Sequence, residues 1–125
     1  GKITLIDFGF ACYFNGNSAK TLCGTVGCMA PEINYHERSY YCEKVDMWSF
    51  GLLLHALRFW GSLTTEKVCE LQENRPILFP LDPDPQATEE NAFRGLLNDL
   101  FTINPTIRPS ATQCLTSPFF TNTAL

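Results

Sequence analysis

Asp7-Phe8-Gly9 and Ala30-Pro31-Glu32 bound the stretch of this chain that decides its fold. The stretch follows the apolar run from Ile3 to Ile6 and closes on the nine residues GTVGCMAPE at 24–32. Between the two ends, residues 10–23 contain an Asn-Gly-Asn turn signal and are expected to form a loop. β-Branched and apolar residues at 2–6 predict a short strand. The sequence therefore predicts a strand followed by a long loop.

Two further motifs follow downstream, DMWSFG at 46–51 and RPSA at 108–111. The four blocks stand in the order found in eukaryotic protein kinases, where D-F-G opens the activation segment and A-P-E closes it. D-F-G alone is a weak signal, but four motifs in the family's order are specific. The chain therefore resembles a Ser/Thr protein kinase, with residues 1–125 as part of the kinase domain and 7–32 as its activation segment.

Composition limits what the 125 residues can form. Apolar residues make up 45% of the chain and ten residues are Phe, which favours one packed domain over disorder. The net charge of −4 argues against nucleic acid or an anionic membrane surface as a partner. No apolar run approaches the length of a membrane-spanning helix.

The six cysteines, at positions 12, 23, 28, 42, 69 and 114, show no C-x-x-C spacing. Neither His36 nor His55 stands at zinc-finger distance from them. Free thiols in a reducing compartment are the favoured interpretation, with disulfides or a metal site as alternatives. We therefore expect an intracellular protein, cytoplasmic or nuclear.

Most of the remaining chain is predicted to be helical. Residues 44–60 are apolar nearly all round, which predicts a helix at the centre of the domain with Trp48, Leu52 and Leu53 in the core. Shorter helices are expected over 64–72, 89–103 and 110–116. The expected fold is mainly α. The resemblance implies a kinase C-terminal lobe within the family's α+β fold, incomplete because the N-terminal lobe and catalytic loop are absent.

The resemblance implies nucleotide-site roles for the first motif. Asp7 matches the kinase aspartate that holds Mg²⁺ at the ATP phosphates, a role that suits a carboxylate because Mg²⁺ prefers oxygen ligands. Phe8 would pack inward and report the active or inactive state of the loop. Gly9 permits backbone angles that a Cβ would forbid. Without the other motifs, Asp7 would be interpreted as a turn or helix-cap acid.

Two threonines of the loop match residues with known roles in the family. Thr21 matches a phosphorylated threonine, and a phosphate there would seek an arginine cluster that orders the loop. Ser18 is a second candidate, and an unmodified loop threonine is the alternative. Thr25 matches the threonine that supports the catalytic Asp and Lys, which favours a protein substrate with a Ser or Thr acceptor. Residues 26–29 would shape the pocket for the residue after the acceptor.

Three charged residues are expected to be structural. The family pairs the positions of Glu32 and Arg108, which would form a buried ion pair between the end of the loop and the last helices. Asp46 matches an acid that accepts hydrogen bonds from the catalytic loop. Because that loop is absent from these residues, we expect Asp46 to be a buried acceptor that lacks its partners.

Catalysis by a kinase needs a glycine-rich loop, a strand lysine and an H-R-D…N catalytic loop. None of these motifs occurs in the 125 residues, and the chain begins at Gly1 without Met. We therefore expect a fragment of an ATP- and Mg²⁺-dependent kinase that is inactive alone and exposes apolar surface. The alternative is a truncated, non-catalytic kinase-like module that binds protein partners. An unrelated helical domain would require four ordered motifs to coincide by chance.

Overall fold

The computed structural model describes residues 1–13, 23–34, 42–74 and 77–122. Within these residues the secondary structure is helical, without strands, which confirms the expectation of a mainly α fold. The helices, in chain order, are α1 (Pro31–Asn34), α2 (Lys44–Phe59), α3 (Thr65–Asn74), α4 (Thr88–Leu100), α5 (Ala111–Cys114) and α6 (Pro118–Thr121). None of them has the length and apolar character needed to cross a membrane.

Residues 2–6 form no strand, so that prediction is wrong. Their side chains are exposed, with Ile3 at 92% and Ile6 at 81%. A strand is stabilised by hydrogen bonds to a neighbouring strand, and the described residues contain no second strand to pair with. The β-branched side chains gave the segment strand propensity, but propensity without a partner does not produce a sheet.

Helix α2 is buried along one side only. Trp48 is fully buried and Leu52 is 5% exposed, which confirms both as core residues. Leu53 is 54% exposed and Leu57 is 67% exposed, so the prediction of Leu53 in the core is wrong. These two leucines are four residues apart and share one face of the helix, which no other described element covers. Trp60 then ends the helix in a left-handed conformation with φ 52°.

The core lies where α2 packs against α4. Gly51 permits this close approach, because a Cβ at that position would lie 3.0 Å from Phe101 Cε1 and 3.1 Å from Leu100 Cβ. The rings of Trp48 and Phe101 meet edge to face at 5.3 Å. The main cluster of buried side chains consists of Ala30, Trp48, Leu52, Val68, Leu78, Phe93, Leu97 and Phe101. It therefore joins residues from α2, α3 and α4 to the residue that precedes α1.

The later helices differ from the expected bounds at their C-terminal ends. Helix α4 ends at Leu100, short of the expected 103, because the carbonyls of Thr102 and Ile103 turn to accept hydrogen bonds from a buried arginine side chain. Ser110 caps α5 through a reciprocal pair of hydrogen bonds with Gln113. Helix α5 ends at Cys114, before the expected 116, and a separate helix, α6, begins at Pro118.

Candidate functional site

The Asp7-Phe8-Gly9 motif forms a tight, exposed turn. Asp7 has a left-handed backbone with φ 61°, and the Gly9 amide donates to Asp7 Oδ1 at 3.2 Å. The Ala11 amide donates to the Phe8 carbonyl at 3.0 Å, which closes the turn. Phe8 is 67% exposed, so the expectation that it packs inward is wrong. Phe8 lies in a segment, residues 1–13, in which every side chain is exposed.

Asp7 suits one position of a Mg²⁺ site but does not form such a site. Mg²⁺ takes one or two carboxylates, with phosphate oxygens and water completing an octahedron. The described residues contain no group of three His, Cys, Asp or Glu side chains placed to hold a metal ion. All six cysteines are free thiols in the structure.

The segment before α1, residues 24–30, is a compact loop. Gly24 and Gly27 have positive φ values of 140° and 80°, which residues with a side chain rarely adopt. The Cys28 amide donates to the Thr25 carbonyl at 3.0 Å and closes a turn. Thr25 and Val26 are exposed at its tip, Val26 to 84%. The loop therefore presents a threonine and an apolar side chain to the surface.

Three consecutive carbonyls of this loop accept hydrogen bonds from outside it. The Thr65 amide donates to the Gly27 carbonyl at 2.8 Å, and the Thr65 hydroxyl donates to the Met29 carbonyl at 2.6 Å. Between them, the Ser49 hydroxyl donates to the Cys28 carbonyl at 2.8 Å. The first turn of α3 and the middle of α2 thus hold the backbone of residues 27–29.

Trp48 connects this loop to Arg108. Its indole N–H donates to the Thr65 hydroxyl at 2.9 Å, within the core. The guanidinium of Arg108 lies over its ring, 5.1 Å from the ring centroid. One buried tryptophan therefore contacts both Thr65, which binds the loop at 24–30, and Arg108.

Glu32 and Arg108, which the family pairs, are in direct contact here. The guanidinium donates from Nη1 to Oε1 at 2.7 Å and from Nη2 to Oε2 at 2.9 Å, a two-pronged geometry. Arg108 is fully buried and Glu32 is 8% exposed. Arg108 also donates to three backbone carbonyls, those of Lys44, Thr102 and Ile103. These bonds satisfy the buried charge and join α1, α2 and the turn after α4.

The expectations for Asp46 and for the phosphorylation candidates Thr21 and Ser18 have different outcomes. Asp46 is exposed in the first turn of α2, so the expectation of a buried acceptor without partners is wrong. No described element covers that face of the helix, and water therefore reaches the carboxylate. Thr21 and Ser18 lie outside the described residues.

The structure adds two candidate functional residues that the sequence did not indicate, Thr65 and Ser49. Thr64 and Thr65 read as the start of a helix, and Ser49 lies inside the DMWSFG motif without a role of its own. A hydroxyl near a helix start is ordinarily a cap. The sequence contains no signal that Thr65 would contact Met29, which is 36 positions away.

Titratable groups with shifted pKa values lie away from the loop. Burial lowers the pKa of His55, and a hydrogen bond with the Gly61 backbone opposes this only in part. His55 borders a groove lined by Phe59, Phe79, Pro80 and Arg94. The pKa of Glu90 is lowered, first by the hydrogen bond from Arg94 at 2.9 Å.

Comparison with known proteins identifies the family. The family model for the protein kinase domain matches residues 1–120, so the chain belongs to that family. The chain is 30% identical over 129 residues to the phosphorylase b kinase gamma catalytic chain, liver/testis isoform, of Mus musculus, covering 95% of this chain and 31% of that protein. It is 31% identical to serine/threonine-protein kinase cds1 of Schizosaccharomyces pombe, covering 94% of this chain and 27% of that kinase.

A third relative is serine/threonine-protein kinase RAD53 of Saccharomyces cerevisiae. It is 31% identical over 134 residues, covering 94% of this chain and 16% of that kinase. The kinase resemblance seen in the motifs is thereby confirmed, and the two yeast relatives are named as serine/threonine-protein kinases. The chain spans less than a third of the length of each of these three relatives.

Proposed function

We propose that these residues form part of the C-terminal lobe of a Ser/Thr protein kinase, an incomplete kinase domain. The protein that contains them transfers the γ-phosphate of ATP to serine or threonine hydroxyls of protein substrates. The observation that supports this most is the loop at 24–30, which is held at three carbonyls and followed by the buried Glu32–Arg108 pair. Such a loop offers a pre-shaped surface for a peptide, which lowers the entropy cost of binding it.

Each motif residue has a part in this proposal. Asp7 would supply one carboxylate to the Mg²⁺ that accompanies ATP, and the bound ion would supply positive charge at the phosphates. Phe8 and Gly9 complete the nucleotide side of the site. Thr25 supports the catalytic residues of the complete enzyme. Thr21 is the phosphorylated threonine of the loop, where the added charge would order the segment by pairing with arginines.

The 125 residues alone are expected to transfer no phosphate. Positioning and charge neutralisation provide nearly all of the acceleration in phosphoryl transfer. Asp7 is a single carboxylate in an exposed turn, and the sequence has neither an H-R-D motif nor a glycine-rich loop. The exposed apolar residues at 3–6 and the exposed face of α2 at Leu53 and Leu57 fit a segment that other parts of a kinase domain cover.

The test is phosphotransfer from labelled ATP by the full-length polypeptide that contains this segment. The assay uses Mg²⁺ and a library of peptides with Ser, Thr or Tyr acceptors. We expect incorporation on Ser and Thr, and loss of about hundredfold or more in rate on Asp7→Asn, since one electrostatic contact at the reacting phosphate is worth that much. The matched control is Asp84→Asn, the same change at an exposed loop carboxylate that accepts from the Gln86 amide.

Two results would contradict the proposal. One is a full-length polypeptide that binds protein partners but transfers no phosphate to any acceptor, which is the behaviour of a non-catalytic module. The other is an Asp7→Asn variant as active as Asp84→Asn, because Asp7 would then have no part in the nucleotide site.

A further inference from the structure

Thr65 uses both its backbone and its side chain to bind the loop at 24–30. It begins α3, where the first amides of a helix have no partner inside the helix. Its amide therefore is available to donate to the Gly27 carbonyl, at 2.8 Å. The side chain next to that amide reaches the Met29 carbonyl at 2.6 Å. A single residue thus holds the loop at two carbonyls that flank a third.

The Thr65 hydroxyl both donates and accepts a hydrogen bond. A hydroxyl has one proton to donate, and here that proton goes to Met29, while the oxygen accepts from the Trp48 indole N–H at 2.9 Å. Thr65 is fully buried, so water does not substitute for either partner. Valine has the same shape but no hydroxyl, and would leave both the carbonyl and the indole N–H without a partner.

The loop depends on contacts of this kind for its shape. The chain has positive φ values at Gly24 and Gly27, and the tip of the loop is exposed at Thr25 and Val26. Its one internal backbone bond joins the Cys28 amide to the Thr25 carbonyl. The bonds from α2 and α3 to the three carbonyls therefore fix where the tip lies on the domain.

We propose that Thr65 is a positioning residue for the peptide substrate, assisted by Ser49. The two hydroxyls hold the Cys28 and Met29 carbonyls, and the Thr65 amide holds the Gly27 carbonyl. Together these bonds keep the tip at Val26 in the place where it contacts a substrate peptide. The exposed, apolar Val26 favours an apolar peptide side chain at that contact. This role rests on the proposed kinase function, and it concerns peptide binding rather than the nucleotide.

The experiment compares five forms of the full-length polypeptide: wild type, Thr65→Val, Thr65→Ser, Thr64→Val and Ser49→Ala. Thr65→Ser keeps the hydroxyl and is the conservative rescue. Thr64→Val makes the same change one residue earlier, where the hydroxyl accepts from the Lys67 amide at 3.3 Å and contacts no loop carbonyl. The first readout is the KM for an acceptor peptide, measured beside the KM for ATP.

The second readout is hydrogen exchange of the amides at residues 25–29, which needs no enzymatic activity. We expect Thr65→Val to raise the peptide KM at least fivefold with the ATP KM unchanged, and to speed exchange at the Cys28 amide at least tenfold. Thr65→Ser and Thr64→Val should both stay within twofold of wild type. Ser49→Ala should shift both readouts in the same direction by a smaller factor.

Three outcomes would overturn the positioning role. If exchange at Cys28 is unchanged in Thr65→Val, the hydroxyl does not hold the loop. If Thr64→Val reproduces the effects, or both KM values and kcat change together, Thr65 contributes only to general stability. A wild type that transfers no phosphate refutes the proposed kinase function instead, and the exchange comparison still decides whether Thr65 holds the loop.

Discussion

Glu32→Gln should be among the most destabilising single changes in this chain, although it replaces only a carboxylate by an amide of the same shape. In the folded protein, Arg108 is fully buried and points both ends of its guanidinium at that carboxylate, at 2.7 and 2.9 Å. The change removes the counter-charge and leaves the guanidinium buried. It also turns an amide NH₂, itself a donor, towards a group that can only donate.

The cost can be estimated from the contacts. Removal of one partner from a buried ion pair typically costs about 3–5 kcal/mol. Arg108 keeps three backbone acceptors, and the glutamine oxygen can still accept one bond, so we expect the lower half of that range. A single domain has only about 5–15 kcal/mol of stability in total. The loss should therefore be a large share of the free energy of unfolding.

The assay is urea unfolding of the full-length polypeptide, followed by tryptophan fluorescence because the Trp48 ring packs under Arg108. With a slope of about 2 kcal/mol per M, the expected loss lowers the urea midpoint by about 1.5–2 M. The matched control is Glu70→Gln, which breaks the exposed pair between Glu70 and Lys67. An exposed pair contributes about 0–1 kcal/mol.

A second pair of changes separates lost charge from lost packing. Glu32→Leu combined with Arg108→Met leaves no unpaired charge in the core, so the double variant should be more stable than Arg108→Met alone. The reasoning would be refuted if Glu32→Gln cost no more than Glu70→Gln. It would also be refuted if the double variant lost the full sum of the two single changes.

Two further perturbations test the packing and the electrostatics. Gly51→Ala should destabilise the fold by about 1–3 kcal/mol, because the added Cβ would lie 3.0 Å from Phe101. Gly95→Ala, where a Cβ would have nothing within 4 Å, should stabilise the fold by about 0.5–1 kcal/mol. Equal effects of the two changes in thermal melts would contradict this. Burial lowers the pKa of His55, so the unfolded chain takes up the proton first and stability should fall as the pH drops below about 6.5. His55→Gln should flatten that slope, as urea midpoints from pH 7.5 to 5.5 would show; an unchanged slope would contradict this.

The sequence alone was sufficient for the family and for the helical fold class. Four short motifs in a fixed order identified the kinase resemblance, and apolar spacing located the central helix that the structure has at Lys44–Phe59. These inferences succeed because they depend on local residue order and on the helical repeat. The same local reasoning predicted a helix over 110–116, and in the structure Ser110 caps that helix through two hydrogen bonds with Gln113.

The tertiary structure decided which residues are covered and which distant groups meet. Hydrophobic residues occur all round α2, yet only the side that faces α4 is buried, and Leu53 is exposed on the other side. Residues 2–6 have strand propensity, but a strand forms only where a second one supplies hydrogen bonds. The bond between Thr65 and Met29 joins positions 36 apart, and no pattern of neighbouring residues encodes it. Burial and long-range hydrogen bonds depend on how the helices pack, and for this reason the loop's attachment to α2 and α3 became visible only in the folded chain.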